Sequence, residues 1–249
     1  MVDGDLKEFT KRVKEALSTV AFTDRVKIMD FLNISEQSAL EPMAEKAADV
    51  SVIFDGGFES AERRRAVVFP SYMVAENMDT KVSVFKIEVI GSGEVTHSQV
   101  LGSLMSLKID RSVIGDIIVD KKGAFFAVCR EFDQFLTEHF TKVGRHDIRL
   151  ERTTDMVERE QKFEAIEIIV SSMRLDVIVK ALINASRGKA EEYLDAGFVR
   201  LNHTVDKKVS RACQIGDILS IRKHGRFKLV EHKKTTKGGK FVVVVSKSV

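Results

Sequence analysis

Residues 174–217 constrain this chain more than any other stretch, because two short helices and then a small basic β unit are written into their pattern. Leu175, Ile178, Val179, Leu182 and Ile183 recur at i, i+3, i+4, i+7 and i+8, the apolar stripe of an amphipathic helix. Asn184 and Ala185 break the period, and Ser186 is a preferred N-cap type, so a second helix is predicted to start there. Arg187 and Lys189 then fall in its first turn, where the helix dipole disfavours cations. A helix start that carries backbone N–H groups and two added cations is a natural seat for a phosphate. Gly197 stands where glycine commonly ends a helix. The segment reads as a unit that holds a nucleic-acid backbone.

Charge points the same way. Residues 173–249 contain 17 Lys and Arg against 7 Asp and Glu, whereas the first 172 residues contain 23 against 30. A net charge of only +3 thus conceals an acidic body and a strongly basic end, the sequence footprint of a nucleic-acid binder. The lysine-rich run 233–240 reads equally well as a solvated tail.

At 249 residues and 44% hydrophobic content, the chain suits two or three small globular domains. No apolar run approaches the roughly 18 residues needed to cross a bilayer, and the N-terminus lacks the apolar core of a signal peptide. Cys129 and Cys213 have no Cys or His at metal-binding spacing and read as ordinary buried thiols in a reducing cytoplasm.

The expected architecture is α+β in three pieces, with boundaries at 1–76, 77–172 and 173–249. In the middle piece, a strand ending at Val89 precedes a helix capped by Thr96 or Ser98. The strands 115–119 and 124–128 flank an Asp120-Lys121-Lys122-Gly123 hairpin turn, and a second helix is predicted over 131–142. A last strand comes from 148–151 or from 164–170. This order is the split β-α-β plan of ferredoxin-like domains, which RNA-recognition motifs share. Phe125 and Phe126 are adjacent, so they point to opposite faces and at least one is core; core packing is the better reading for both. In the N-terminal piece, helices are predicted over 6–20, 24–31 and 37–48, followed by strands 50–54 and 66–69.

Arg174-Leu175-Asp176, Ser186-Arg187-Gly188-Lys189-Ala190, Gly197 with Val199 and Asn202, and Gly216-Asp217 together resemble the RNA-binding domain of ribosomal protein S-four type. A commonly seen Asn-Gly turn is here Asn202-His203. His97 with Leu101, Gly102 and Leu104, the Ile114-Gly115-Asp116-Ile117 run, Phe54-Asp55-Gly56-Gly57-Phe58 and Ala61-Glu62-Arg63-Arg64-Arg65 resemble the bacterial YlmH-like proteins, in which a ferredoxin-like domain precedes that terminal unit. The resemblance implies RNA contact through Arg174, Asp176, Lys180, Ser186, Arg187 and Lys189 on the helix pair. It implies further contact through Arg200, Asn202, Lys207, Lys208, Arg211, Arg222, Lys223 and Arg226 on the β unit. It also implies a monomer that binds ribosomal RNA on the large ribosomal subunit and contacts tRNA, in quality control of stalled nascent chains. For Arg63–Arg65, RNA contact and a solvated or interdomain role stand level.

An enzymatic role has little support. Gly91-Ser92-Gly93 lacks the rest of a dinucleotide or methyl-donor loop, and P-loop, HExxH and GxSxG signatures are absent from the sequence. Asp176 begins the first RNA-binding helix, where it orients a basic neighbour or caps local backbone rather than acting in a catalytic sheet. His97 reads as a polar helix-start residue. No cofactor or metal is expected.

Overall fold

A computed structural model describes residues 3–153 and 163–248. The chain forms two compact units, 2–160 and 161–249.

The first unit opens with α1 (Asp3–Thr23), β1 (Lys27–Leu32), α2 (Ile34–Glu45), β2 (Val50–Asp55) and β3 (Arg64–Pro70). The three strands make an antiparallel sheet in the order β1-β3-β2. Phe9, Val13, Ala16, Leu17 and Val20 of α1 share one core with Leu40 of α2 and Val68 of β3. The helix expected at 24–31 is instead strand β1. Asp24 takes a left-handed φ of 54° after α1, and the following run pairs with β3, so a partner strand overrides a weak local preference. Helix α2 starts earlier than expected, because Asn33 and Glu36 close a reciprocal capping box there.

The middle of the chain supplies β4 (Val82–Val89), α3 (His97–Ser106), β5 (Ile114–Asp120), β6 (Gly123–Cys129), α4 (Asp133–His139), β7 (Lys142–Val143) and β8 (His146–Thr153). Its antiparallel sheet runs β5-β6-β4-β8-β7, the ferredoxin-like order with one short added strand. Thr96 caps α3 in a box with Gln99. The second helix stops at His139, short of the expected Lys142. Phe140 leaves the helix to enter the core, and Gly144 at φ 59° lets Lys142–Val143 fold back onto His146–Asp147. Phe125 and Phe126 are both buried, and Phe126 stacks on Phe85 at 5.6 Å and meets Phe140 edge-on at 5.8 Å. Neither is available to a base.

Two arginines, Arg63 and Arg65, and one aspartate join these two sheets. Arg63 donates to the carbonyls of Ile114, Phe31 and Arg111 at 3.0, 2.9 and 3.2 Å. Arg65, 4% exposed, donates to Met29 and Lys81 carbonyls and pairs with Glu131 at 3.1 Å. Arg64 bonds the Ala61 carbonyl. From the other side, Asp116 accepts the Glu62 N–H at 2.5 Å. A Cβ on Gly115 would stand 2.6 Å from the Phe31 ring, so the Ile114–Ile117 motif is shaped for close approach of the two sheets. Arg63 and Arg65 therefore serve the internal face, not a solvated one. Burial, with the neighbouring Arg63, pushes Arg111 down to about 10.

The second unit holds β9 (Phe163–Val170), α5 (Leu175–Leu182), α6 (Arg187–Asp195), β10 (Val199–Leu201), β11 (Thr204–Val205), β12 (Ile218–Ile221), β13 (Gly225–Thr235) and β14 (Phe241–Ser248). They form one antiparallel sheet, β11-β10-β12-β13-β14-β9. Of the two candidates for the last middle strand, 148–151 lies in β8, whereas 164–170 pairs along its length with β14. The expected boundary at 172/173 thus cuts β9 away from the sheet it completes. Leu175, Ile178 and Val179 of α5 and Leu194 of α6 are fully buried with Leu219, Phe227, Leu229 and Val243 on the helix-facing side.

Gly102 lies in mid-α3 with nothing within 4 Å of an added Cβ. Gly102→Ala is therefore expected to stabilise the fold by about 0.5–1 kcal/mol, since glycine in an exposed helix interior costs that much. A urea titration checks it; a loss of stability would mean that α3 is not an open helix at that point.

Candidate RNA interface

The site begins at the start of α5. Arg174 is its N-cap residue, and backbone bonds from Leu175 and Asp176 to the Arg211 and Val209 carbonyls hold the 206–213 loop over the helix start. Asp176 is fully buried. Its two carboxylate oxygens accept Arg174 Nε at 3.0 Å and Arg174 NH2 at 3.3 Å, and Arg187 Nε and NH2 each reach Oδ2 at 3.0 Å. Burial opposes the charge, but the hydrogen bonds and charges of Arg174, then Arg187, prevail and hold the carboxyl below its ordinary 3.8. Asp176 therefore offers no surface to RNA. It fixes two arginines that remain 41% and 59% exposed.

Ser186 caps α6 by accepting the Lys189 N–H, as its position in the sequence suggested. The first-turn cations are not bare. Arg187 also meets Glu191 at 3.2 Å, and Lys189 meets Glu192 at 2.6 Å. Both pairs sit at helical i, i+4 and i, i+3 spacing, so their partners were legible in the sequence. Lys180 is exposed at the end of α5. Gly197 ends α6 at φ 70°.

On the β unit, Arg200, Ser220 and Arg226 stand directly opposite one another across β10, β12 and β13. They line one side of a groove of about 520 Å³. At its end the Arg222 guanidinium lies 4.7 Å over the Phe198 ring, and Tyr193 meets both Phe198 and His224 edge-on. This aromatic group was missed in the sequence, where Phe198 looked like one more strand residue. The alternation Tyr193, Phe198, Arg222 gives no periodic signal; the fold alone assembles it.

Asn202 is exposed but bonded within its unit. It donates to Asp217 at 2.8 Å and accepts the Ile218 N–H at 2.9 Å, which ties the β10–β11 turn to the Gly216-Asp217 motif. Asn202 and His203 both take left-handed φ, 47° and 69°. Lys207, Lys208 and Arg211 are exposed on the 206–213 loop, with Arg211 3.6 Å from Asp206. Lys223 is exposed on the β12–β13 turn.

Cys129 and Cys213 are buried and free, and burial pushes both thiols up to about 12, outside the reactive range. Among the described residues, no three His, Cys, Asp or Glu side chains are grouped to hold a metal. No described helix is long and apolar enough to cross a membrane.

A ferredoxin-like sheet followed by a helix pair and basic strands defines a modular α+β RNA-binding protein. Comparison with known proteins resolves the class further. Residues 76–156 match the family described as a putative RNA-binding domain in YlmH, and residues 173–219 match the S4 domain. The chain is 31% identical to the Bacillus subtilis ribosome-associated protein quality control protein P2 over 242 residues, 96% of this chain and 94% of that one. It belongs to the YlmH-like family. Among solved structures, a Streptococcus pneumoniae cell division protein ylmH is similar, with a TM-score of 0.53 and 25% identity over 61% of this chain and 93% of its own. The tRNA modification GTPase MnmE of Campylobacter jejuni subsp. doylei is 23% identical over 91% of this chain but 45% of its own length. The chain thus spans less than half of that relative's length, and its sequence has no GxxxxGK[ST] run.

Proposed function

We propose that the protein binds the large ribosomal subunit through ribosomal RNA and peptidyl-tRNA, as a monomer in the cytoplasm, and serves quality control of stalled nascent chains without catalysing a reaction. One observation carries the reading: the likeness to a protein named for ribosome-associated quality control runs the length of both chains, so the entire domain order is shared. The exposed cations fit the role. Arg174 and Arg187, fixed by Asp176, with Lys180 and Lys189 present charge from the helix side. Arg200, Lys207, Lys208, Arg211, Arg222, Lys223 and Arg226 present it from the strands and loops. Phosphate contacts of this kind position a protein on structured RNA by shape rather than by base identity. Asp176 and Asn202 contribute indirectly, by holding arginines and a turn in place, and Ser186 by capping α6.

The test is co-sedimentation of wild type and an Arg187→Ala, Lys189→Ala double variant with purified small subunits, large subunits and intact ribosomes. Binding to large subunits that the double variant loses at least tenfold supports the reading. The fold survives in that variant, because Arg174 still holds Asp176. Equal binding to every particle would favour a general RNA binder or an assembly factor, and an altered RNA nucleoside profile in cells lacking the gene would favour an enzyme.

A further inference from the structure

The positive charge of the C-terminal unit is not where the S4 match lies. Residues 173–219 carry eight Lys and Arg against six Asp and Glu, nearly balanced. Residues 220–249, beyond the match, carry nine against one. The two groups also differ in how their cations are used. On the matched helix pair, Arg174, Arg187 and Lys189 are paired with carboxylates of their own unit, and Lys180 is exposed without an ion pair among the described residues. On the matched strands and loops Arg211 is paired, while Arg200, Lys207 and Lys208 are exposed without such a partner among the described residues. In the added part, Lys233 pairs with Glu167 and Lys234 lies near enough to favour that carboxylate's charge, whereas among the described residues Lys228, Lys237 and Lys240 form no ion pair; all five are exposed.

The fold gives these lysines a common platform. Strand β12 pairs only with Gly225–Lys228 of β13, and β13 then runs on to Thr235 with β14 as its one neighbour. Past β12 the edge of β13 is open while β14 stays paired with β9, and this β13–β14 arm is closed by the Thr236–Gly239 turn with Gly239 at φ 74°. Lys228 follows Arg226 on the side of β13 away from the helices, whose facing residues Phe227 and Leu229 are buried. Lys234 lies further along the same strand, with Lys237 and Lys240 at the tip. Edge lysines also deter strand-to-strand aggregation, which accounts for one or two charges on an open edge. It does not account for five exposed lysines on one arm against the two carboxylates Glu167 and Glu231, a surplus of positive charge that a polyanion would neutralise.

We propose that the β13–β14 arm, rather than the S4-matched helix pair, supplies most of the salt-dependent attraction of this unit for RNA, by contacting phosphates with Lys228, Lys234, Lys237 and Lys240. This rests on the RNA-binding reading above. The helix pair, with three of its four cations held by carboxylates, then sets orientation, while the arm sets the strength and rate of capture.

The experiment measures binding of the full chain to a fluorescent RNA hairpin, to naked ribosomal RNA and to purified large subunits across a salt series. The variants are the four lysines changed together to Gln, the same four changed to Arg, and Arg187→Ala with Lys189→Ala. With the four glutamines, the slope of log affinity against log salt is expected to fall by about one per lysine, with at least a tenfold loss of affinity at low salt. The four arginines should retain both, which separates charge from folding. A glutamine variant with wild-type affinity and slope, beside a weakened Arg187/Lys189 variant, overturns the arm's role and leaves RNA binding standing. Equal losses in the glutamine and arginine variants overturn it too, as would salt-dependent binding to subunits but not to naked RNA, which would point to an acidic protein instead. A wild type that binds none of the RNAs overturns the RNA-binding reading itself.

Discussion

Arg65→Met should destabilise the 2–160 unit by about 3 kcal/mol, the largest effect expected of any exchange of similar volume in this chain. The guanidinium is 4% exposed and serves the Met29 carbonyl at 3.1 Å, the Lys81 carbonyl at 2.7 Å and both oxygens of Glu131. Methionine fills much of the same space but takes the guanidinium donor from the Met29 carbonyl and leaves the Lys81 carbonyl with the Arg130 N–H alone. Glu131 is half exposed and can be rehydrated, so the cost comes chiefly from the carbonyls. Arg65→Lys retains the charge but not the planar fork, and should fall between the two. For a unit of this size the loss corresponds to a melting shift of about 6–12 °C. Hydrogen exchange should rise around β1, β3 and β4 and stay unchanged in the C-terminal sheet. A variant within about 0.5 kcal/mol of wild type would reopen the idea that the arginine triplet serves RNA.

Asp176→Asn should lower the stability of the C-terminal unit by about 2 kcal/mol and weaken RNA binding about tenfold, through loss of a buried charge-assisted network. Removing one partner of a fully buried pair costs more than this. Here Arg174 and Arg187 are 41% and 59% exposed and recover water when released. The affinity falls because two arginines that were held in place become mobile. The acid limb provides a second check. The carboxyl titrates below its ordinary 3.8 in the fold, so its contribution is fully present at neutral pH. That contribution disappears as the pH drops from about 4 through the lower folded value. The asparagine variant lacks this contribution at every pH. The gap in urea midpoint between the two proteins should therefore be widest at neutral pH and shrink below about pH 4. A gap that stayed constant into acid would mean that Asp176 is not held by its charge.

Much of the C-terminal helix pair could be read from the residues. The apolar spacing from Leu175, the Ser186 cap and the Gly197 stop all act within one or two turns, so no distant partner is needed to realise them. The same holds for the Thr96 cap and the Asp120–Gly123 hairpin turn. The reading failed where a distant partner decides the outcome. Residues 27–32 are a strand only because β3 lies alongside. Residues 163–170 complete a sheet whose other strands come as much as 80 residues later. The candidate site shows the same division. Its cations were legible as residue types, but their state was not. Asp176, expected to orient a basic neighbour or cap local backbone, is a buried clamp on two arginines, and Asn202, expected at the RNA, also closes a turn.

By itself, the sequence determined the local elements of the RNA-binding unit, the split β-α-β order and the surplus of positive charge at one end, because helical period, caps and composition are properties of neighbouring residues. Only the tertiary structure decided that Arg63 and Arg65 face inward, that Asp176 binds two arginines, and that the unpaired lysines gather on the β13–β14 arm. Burial and ion pairs between distant segments depend on which segments meet, and side-chain spacing, which records only local pairs such as Arg187–Glu191, carries no trace of that.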